Sequence, residues 1–303
     1  KEAHWPGYKK IEKYLESGVG GFKNVYVIKH KKNLGPTENY TTVREVVYRD
    51  HDSYIYTEDD NVFSPNYLEY MNKCMGHFRD DEKVMAVSGY MYPVDMGNIN
   101  GNVLRISTYF SAFGFGIYRK WSENLDRAIN MQTFLKMYHN VKMMKRLKKA
   151  SPNQYCNFVK GMVEYIPDLI CDGKIRSVDL AWGLYDFFNG YDMIFPVISK
   201  VRNNGYDGSG VNCAMQNAIG GKEGRETYRE YDFSKQNIDG ASFFSIDFPG
   251  SLDQDSLNEK MSRFFFIPKR ELILTEMTYW VSLILGRRQM AILVKAVQKI
   301  LGR

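Results

Sequence analysis

Three adjacent carboxylates, Glu58-Asp59-Asp60, are the densest chemistry in this 303-residue chain. Carboxylates side by side repel one another unless a positive group sits among them. A hard divalent cation with oxygen ligands meets that need, and such an ion usually keeps open positions for a substrate's phosphates. A solvated acidic turn would use the same residues, so the flanking pattern has to decide between the two.

The flanks favour a site. Tyr54-Ile55-Tyr56-Thr57 is an apolar and aromatic run of strand type. Ser64-Pro65 follows as a helix start, with Ser64 as the cap and Pro65 in the first turn. Leu68, Met71, Met75 and Phe78 then recur at helical spacing. The acids therefore fall between the carboxyl end of a strand and a helix, the place where open α/β sheets bind ligands.

The rest of the chain repeats this alternation. Tyr8 to Glu16 has a short helical pattern, and Val25 to Ile28 reads as a strand. Lys31 to Pro36 is a turn leading into a helix that carries Tyr40, Val43 and Val47. Lys83 to Gly89 and Asp192 to Ser199 are further strands, with helices across Asn124 to Ile170 and from Ser177 onward. Strands alternating with helices predict βαβ units and a parallel sheet. Ser111 to Trp121 interleaves glycines with aromatics, which lets backbone approach a ligand while rings supply stacking faces. Arg202-Asn203-Asn204-Gly205 opens a glycine-rich loop to Gly210 that could close over phosphates.

Glu58-Asp59-Asp60, with Ser64-Pro65-Asn66-Tyr67-Leu68-Glu69-Tyr70-Met71 behind it, resembles the metal motif of GT-A-fold glycosyltransferases. Bacterial family 2 enzymes of polysaccharide synthesis are the nearest likeness, and the N-acetylglucosaminyltransferase I family is similar in the same region. Matching segments run from Asn33 to about Gly210. The resemblance implies an α/β, GT-A-type, mostly parallel sheet flanked by helices. It implies inverting transfer of a hexosyl or N-acetylhexosaminyl group from a nucleotide-diphosphate sugar, UDP-linked by preference, to a hydroxyl of a glycan or lipid-linked glycan. A divalent cation, manganese or magnesium, would sit at Asp60 with help from Asp59. Glu58 would face the ribose or support its loop. Asn33 and Gly35, in a loop similar to the family's asparagine-leucine-glycine loop, would contact the donor, and Arg202 its phosphates. Gly114 and Phe115 would border the acceptor. Asp179 would take the acceptor proton and point into the cleft of Asp60, with Trp182 one turn on as a sugar platform. Asp172, Asp186 and Asp207 are its rivals, and its position at a helix start predicts a lowered pKa.

The chain departs from the family in two places. A histidine commonly follows the glycine-rich loop, but Asn212 stands there, and no histidine occurs after His139. Family domains also open with a nucleotide-binding strand, whereas this sequence begins on a helix-like segment. The expectation is that base-contacting residues precede Lys1.

Composition narrows the class. Hydrophobic content of 44% and charged content of 25% are those of an ordinary globular protein. A net charge of +6 suits phosphate-bearing ligands or an anionic membrane face. Cys74, Cys156, Cys171 and Cys213 form no Cys-x-x-Cys pair and read as free thiols of a reducing compartment, hence a cytoplasmic protein. No recognised nucleic-acid motif accompanies the basic run Lys136, Lys142, Lys145, Arg146, Lys148 and Lys149, which could instead meet acidic lipid headgroups. Residues 1–213 are expected to form the nucleotide-sugar and catalytic domain, and 214–303 a loop-rich segment with C-terminal amphipathic helices. One helical stripe is Met277, Trp280, Val281 and Ile284, the other Met290, Leu293, Val294, Val297 and Leu301. These helices could dock on the domain, pair two copies, or lie on the inner face of a membrane. Two other function classes share these features: a nucleotidyltransferase of similar fold, and a non-catalytic sugar-binding or scaffold protein.

Overall fold

The computed structural model describes residues 5–97, 99–163, 170–171, 174–175, 178–205, 231–248 and 254–300. Two compact units divide the chain between His51 and Asp52, whereas the sequence suggests a boundary at 213/214. The first unit holds helices α1 (Trp5–Glu16) and α2 (Gly35–Val47). Pro36 stands in the first turn of α2, and Asn33 Oδ1 accepts the Gly35 amide at 2.8 Å to shape the turn before it. Lys29 pairs with Glu12 at 2.8 Å and ties the connecting loop to α1. The strand expected at Val25–Ile28 is not formed, and Val25, Tyr26 and Val27 are exposed. Beta-type residues need a neighbouring ladder, and among the described residues this unit contains no strand to supply one.

The second unit is built on a five-stranded sheet. Its strands are β1 (Ser53–Tyr56), β3 (Val84–Ser88), β4 (Val103–Ile106), β5 (Phe115–Tyr118) and β8 (Asp192–Pro196), in the order β1-β5-β3-β8-β4. Only β3 and β8 run parallel; the other three pairings are antiparallel. The fold is therefore α/β with a mixed sheet, and the mostly parallel sheet is not what these strands form. All five residues of β3 are buried, as expected of a central strand covered on both faces.

Helix α3 (Tyr67–His77) covers one face. It begins later than Ser64-Pro65 suggests: Asn66 is the cap residue, and Ser64 Oγ donates to Asn66 Oδ1 within the preceding turn. The buried stripe is Tyr67, Tyr70, Met71, Cys74 and Met75, leaving Leu68 exposed. Gly116 on β5 lets the helix settle, because a Cβ there would lie 2.4 Å from Met75 Sδ. Helices α4 (Arg119–Ala128), α5 (Met131–His139), α6 (Val141–Ala150) and α7 (Pro152–Val163) realise the long helical region. Short strands β6 (Ile170–Cys171) and β7 (Lys174–Ile175) precede α8 (Val178–Asn189). Strands β2 (Asn61–Phe63) and β9 (Val201–Asn203) pair antiparallel as a separate ribbon. Helices α9 (Gln254–Phe264), α10 (Lys269–Leu285) and α11 (Arg287–Ile300) close the chain, and Gly286 at φ +85° turns the last two.

Candidate active site

The acidic triplet leaves the end of β1 and turns directly into β2. Asp59 is exposed, while Glu58 and Asp60 are half-buried. The ribbon fixes Asp60 from the other side of the sequence. Register pairs Asn61 with Asn203, and Asn203 Nδ2 donates to Asp60 Oδ1 at 2.8 Å and to Asn61 Oδ1 at 3.2 Å. The Asn204 amide donates to the Asp60 carbonyl at 2.9 Å. The Gly205 amide donates to Asn203 Oδ1 at 2.8 Å, so the chain bends around the carboxylate. A Cβ at Gly205 would stand 2.0 Å from Asp60 Oδ2, so only glycine allows this approach.

Asp179 arrives on the first turn of α8. Gly183, one turn further on, shares its face, and a Cβ there would meet the Phe110 amide nitrogen at 3.2 Å and the Thr108 oxygen at 3.3 Å. The missing side chain lets α8 lie close on residues 108–110. In that position Asp179 accepts a hydrogen bond from the Ala112 backbone amide. The glycine-aromatic loop thus contributes a backbone donor to the candidate base.

Glu58 links the two halves. Its pKa is pushed up to about 7, first by burial and then by the negative charges of Asp60, Asp179 and Asp59, with a Tyr56 hydrogen bond opposing. Carboxylates from residues 58–60 and from position 179 therefore share one electrostatic environment. Burial pushes Asp179 to about 7 as well, against the Ala112 hydrogen bond. The direction is opposite to the lowering expected at a helix start, and burial is its largest cause.

Other expected residues lie elsewhere. Phe115 and Trp182 are core side chains. Trp182 packs on Phe110 at 4.6 Å and on Phe115 at 5.7 Å, and Phe115 also meets Tyr56 at 5.3 Å. Their ring faces are taken, so neither is a sugar platform in this arrangement. Gly114 (φ +70°) is held beneath Tyr67, and its carbonyl accepts the Gly89 amide at 2.6 Å. Arg202 alternates with Asn203 along β9 and projects to the opposite face, where its Nε donates to Asn204 Oδ1 at 3.2 Å. Asn203, not Arg202, touches Asp60. Asn33 and Gly35 line a cleft within the first unit, beside Tyr8, Ile11, Lys29 and His30. Asp186 is fully buried and both its carboxylate oxygens lack hydrogen-bond partners, which removes it as a base facing a cleft. Asp172, Asp207, Asn212 and the glycine-rich loop beyond Gly205 lie outside the described residues.

Sequence reasoning gave no individual role to Asn203, Gly205, Gly183 or the Ala112 amide. Asn203 and Gly205 stood within the glycine-rich loop and Ala112 within the glycine-aromatic stretch, whereas Gly183 carried no signal. Among the described residues no three His, Cys, Asp or Glu side chains form a ready metal cage. What the site offers a cation is one fixed carboxylate in a backbone cradle, crowded by further acids. Comparison with protein-family models and with curated proteins finds no match for the chain.

Proposed function

We propose that the protein is a metal-dependent, inverting glycosyltransferase of GT-A type acting on a nucleotide-diphosphate sugar. The observation that carries this reading is Asp60 at the end of β1, bonded by Asn203 and enclosed by Gly205, with Asp179, about 120 residues on, near enough for its charge to bear on Glu58. Asp60, held by Asn203 and cradled by Gly205, fits a cation shared between one carboxylate and the oxygens of a diphosphate. That cation, manganese or magnesium, would neutralise the diphosphate as it leaves.

Asp179 has the properties of a general base. A pKa of about 7 lets it be ionised at neutral pH and still bind a proton usefully. In the transfer, the acceptor oxygen forms a bond to the anomeric carbon while the bond from that carbon to the diphosphate oxygen breaks. The electron pair leaves with the diphosphate, and the acceptor proton passes to Asp179. Glu58, half-buried beside both acids, supports the loop or meets the donor's ribose.

The test is product release from a panel of nucleotide sugars with manganese and short glycans. The reading expects nucleoside diphosphate from at least one donor, lost in Asp60→Asn and in Asp179→Asn. Pyrophosphate released from nucleoside triphosphate and a sugar phosphate would assign the site to nucleotidyl transfer instead. Sugar binding unaffected by Asp60→Asn, with no turnover, would leave a non-catalytic binding protein.

A further inference from the structure

Helix α10 is oriented opposite to an ordinary surface helix. Its inward face is Thr275, Tyr279 and Ser282, all buried. The polar groups there are satisfied: Tyr138 Oη and Ser282 Oγ share a hydrogen bond of 2.6 Å, and Tyr279 Oη donates to the Tyr138 carbonyl at 3.0 Å. These bonds fix the rotation of the helix. The outward face is Ile273, Met277, Trp280 and Ile284, spaced four, three and four residues apart, with Leu274 beside them. Ile284 is 82% exposed and Met277 58%, and Ile292 on the adjoining α11 is 68% exposed. A contiguous apolar face of this kind marks an interaction surface.

Charge identifies the occupant. Residues 269–300 carry six cations against two carboxylates. Both carboxylates are turned to lysines of the domain, Glu271 to Lys160 and Glu276 to Lys148. On the helical wheel Lys269 and Arg270 fall on the outward stripe of α10, and Arg288 and Lys295 share a stripe of α11 with Ile292. From α6, exposed Lys145 joins this rim, with its Nζ 5.7 Å from the Trp280 ring centroid. An apolar face with a cationic rim and an aromatic at its edge matches an anionic bilayer surface. A second copy of the chain would bring the same cationic rim against itself. Among the described residues no helix is long and apolar enough to cross a membrane, so the contact lies in the interface plane.

We infer that the outer face of α10 and α11, with Lys145 of α6 at its edge, is a docking surface for an anionic lipid bilayer. This is independent of the acidic cleft. The test is co-sedimentation of the full chain with phosphatidylcholine vesicles, with and without phosphatidylglycerol. Wild type should pellet with the phosphatidylglycerol vesicles. Met277→Ser/Trp280→Ser/Ile284→Ser should lower partitioning by roughly tenfold or more while keeping its melting temperature. Arg288→Glu/Lys295→Glu, which spares the apolar face, should lower it by roughly fivefold per cation, and added salt should mimic that loss. Equal pelleting of wild type and both variants would overturn the inference. So would a wild type that ignores vesicles but forms a dimer dissolved by the triple change, which would assign the face to a second copy.

Discussion

Asp60 is positioned by an asparagine and a glycine that lie more than 140 residues downstream. If the cradle matters, its parts are testable one at a time. Asn203→Ala removes the 2.8 Å hydrogen bond to Asp60 Oδ1 and should weaken manganese-dependent nucleoside diphosphate binding by about tenfold, the worth of one charge-assisted hydrogen bond. Gly205→Ala should do at least as much, because its Cβ would occupy the place of Asp60 Oδ2. Calorimetry with UDP and manganese reads both, and normal binding in both variants would show that Asp60 is not the ligand.

Asp179 makes a different prediction, because its raised pKa couples catalysis to stability. Transfer should fall as pH drops through about 7, where the carboxylate gains its proton. Folding responds with the opposite sign. A carboxyl whose folded pKa lies above its unfolded value stabilises the fold at pH below the unfolded value near 4. That contribution disappears as pH rises through about 7. Asp179→Asn should therefore lose transfer by about 10²-fold or more, the usual worth of a general base, while keeping donor binding. The same variant should melt at a higher temperature than wild type at pH 8, with the difference vanishing near pH 4. A variant that turns over normally, or melts lower at pH 8, removes Asp179 from the role.

At the scale of elements, close packing around small residues holds the site together. Gly114→Ala should cost about 1–3 kcal/mol, since it forces a side chain at φ +70° and puts a Cβ 2.9 Å from Tyr67 Oη. A second device secures the strap 231–248. Lys200, 3% exposed, pairs with Asp239, which also accepts from Asn66 Nδ2 at 3.0 Å. Lys200→Met should cost about 3 kcal/mol by stranding Asp239, and hydrogen exchange should rise across 231–248 before the sheet opens. The double change Lys200→Met/Asp239→Leu should recover most of the loss; if it does not, the pair is more than a lock.

Much of this was legible from local pattern. The run at Tyr54, the strands near Val84 and Met193, and the helical character of 124–163 were legible locally, whereas the helix start at Arg119 fell inside the stretch read as a glycine-aromatic loop. The antiparallel pairings were not, because strand direction is set by long-range partners that alternation does not encode. The β2–β9 ribbon escaped because each strand is only three residues long. Trp182 looked like a sugar platform and Phe115 like an acceptor border for want of any local sign that their rings would pack edge to face in the core. The acidic site was half legible: the acids stood out, and the roles of the residues that hold them did not.

For the molecule as a whole, the α/β unit from Asp52 onward carries both surfaces of interest. One is the acidic cluster at the end of β1, fixed by the β2–β9 ribbon, with Asp179 at the start of α8 in electrostatic reach of Glu58. The other is the apolar face of α10 and α11. If the glycosyltransferase reading is right, a membrane contact would hold the enzyme where lipid-linked acceptors are displayed. The claim on which the glycosyltransferase reading turns is that Asp60 binds a donor's diphosphate through a divalent cation. The most direct measurement is calorimetric titration of wild type and Asp60→Asn with a panel of nucleotide sugars, with and without manganese. The account predicts that at least one donor binds wild type only when manganese is present and that the variant binds none. Absence of manganese-dependent binding across the panel, or the same heats from Asp60→Asn, would contradict it.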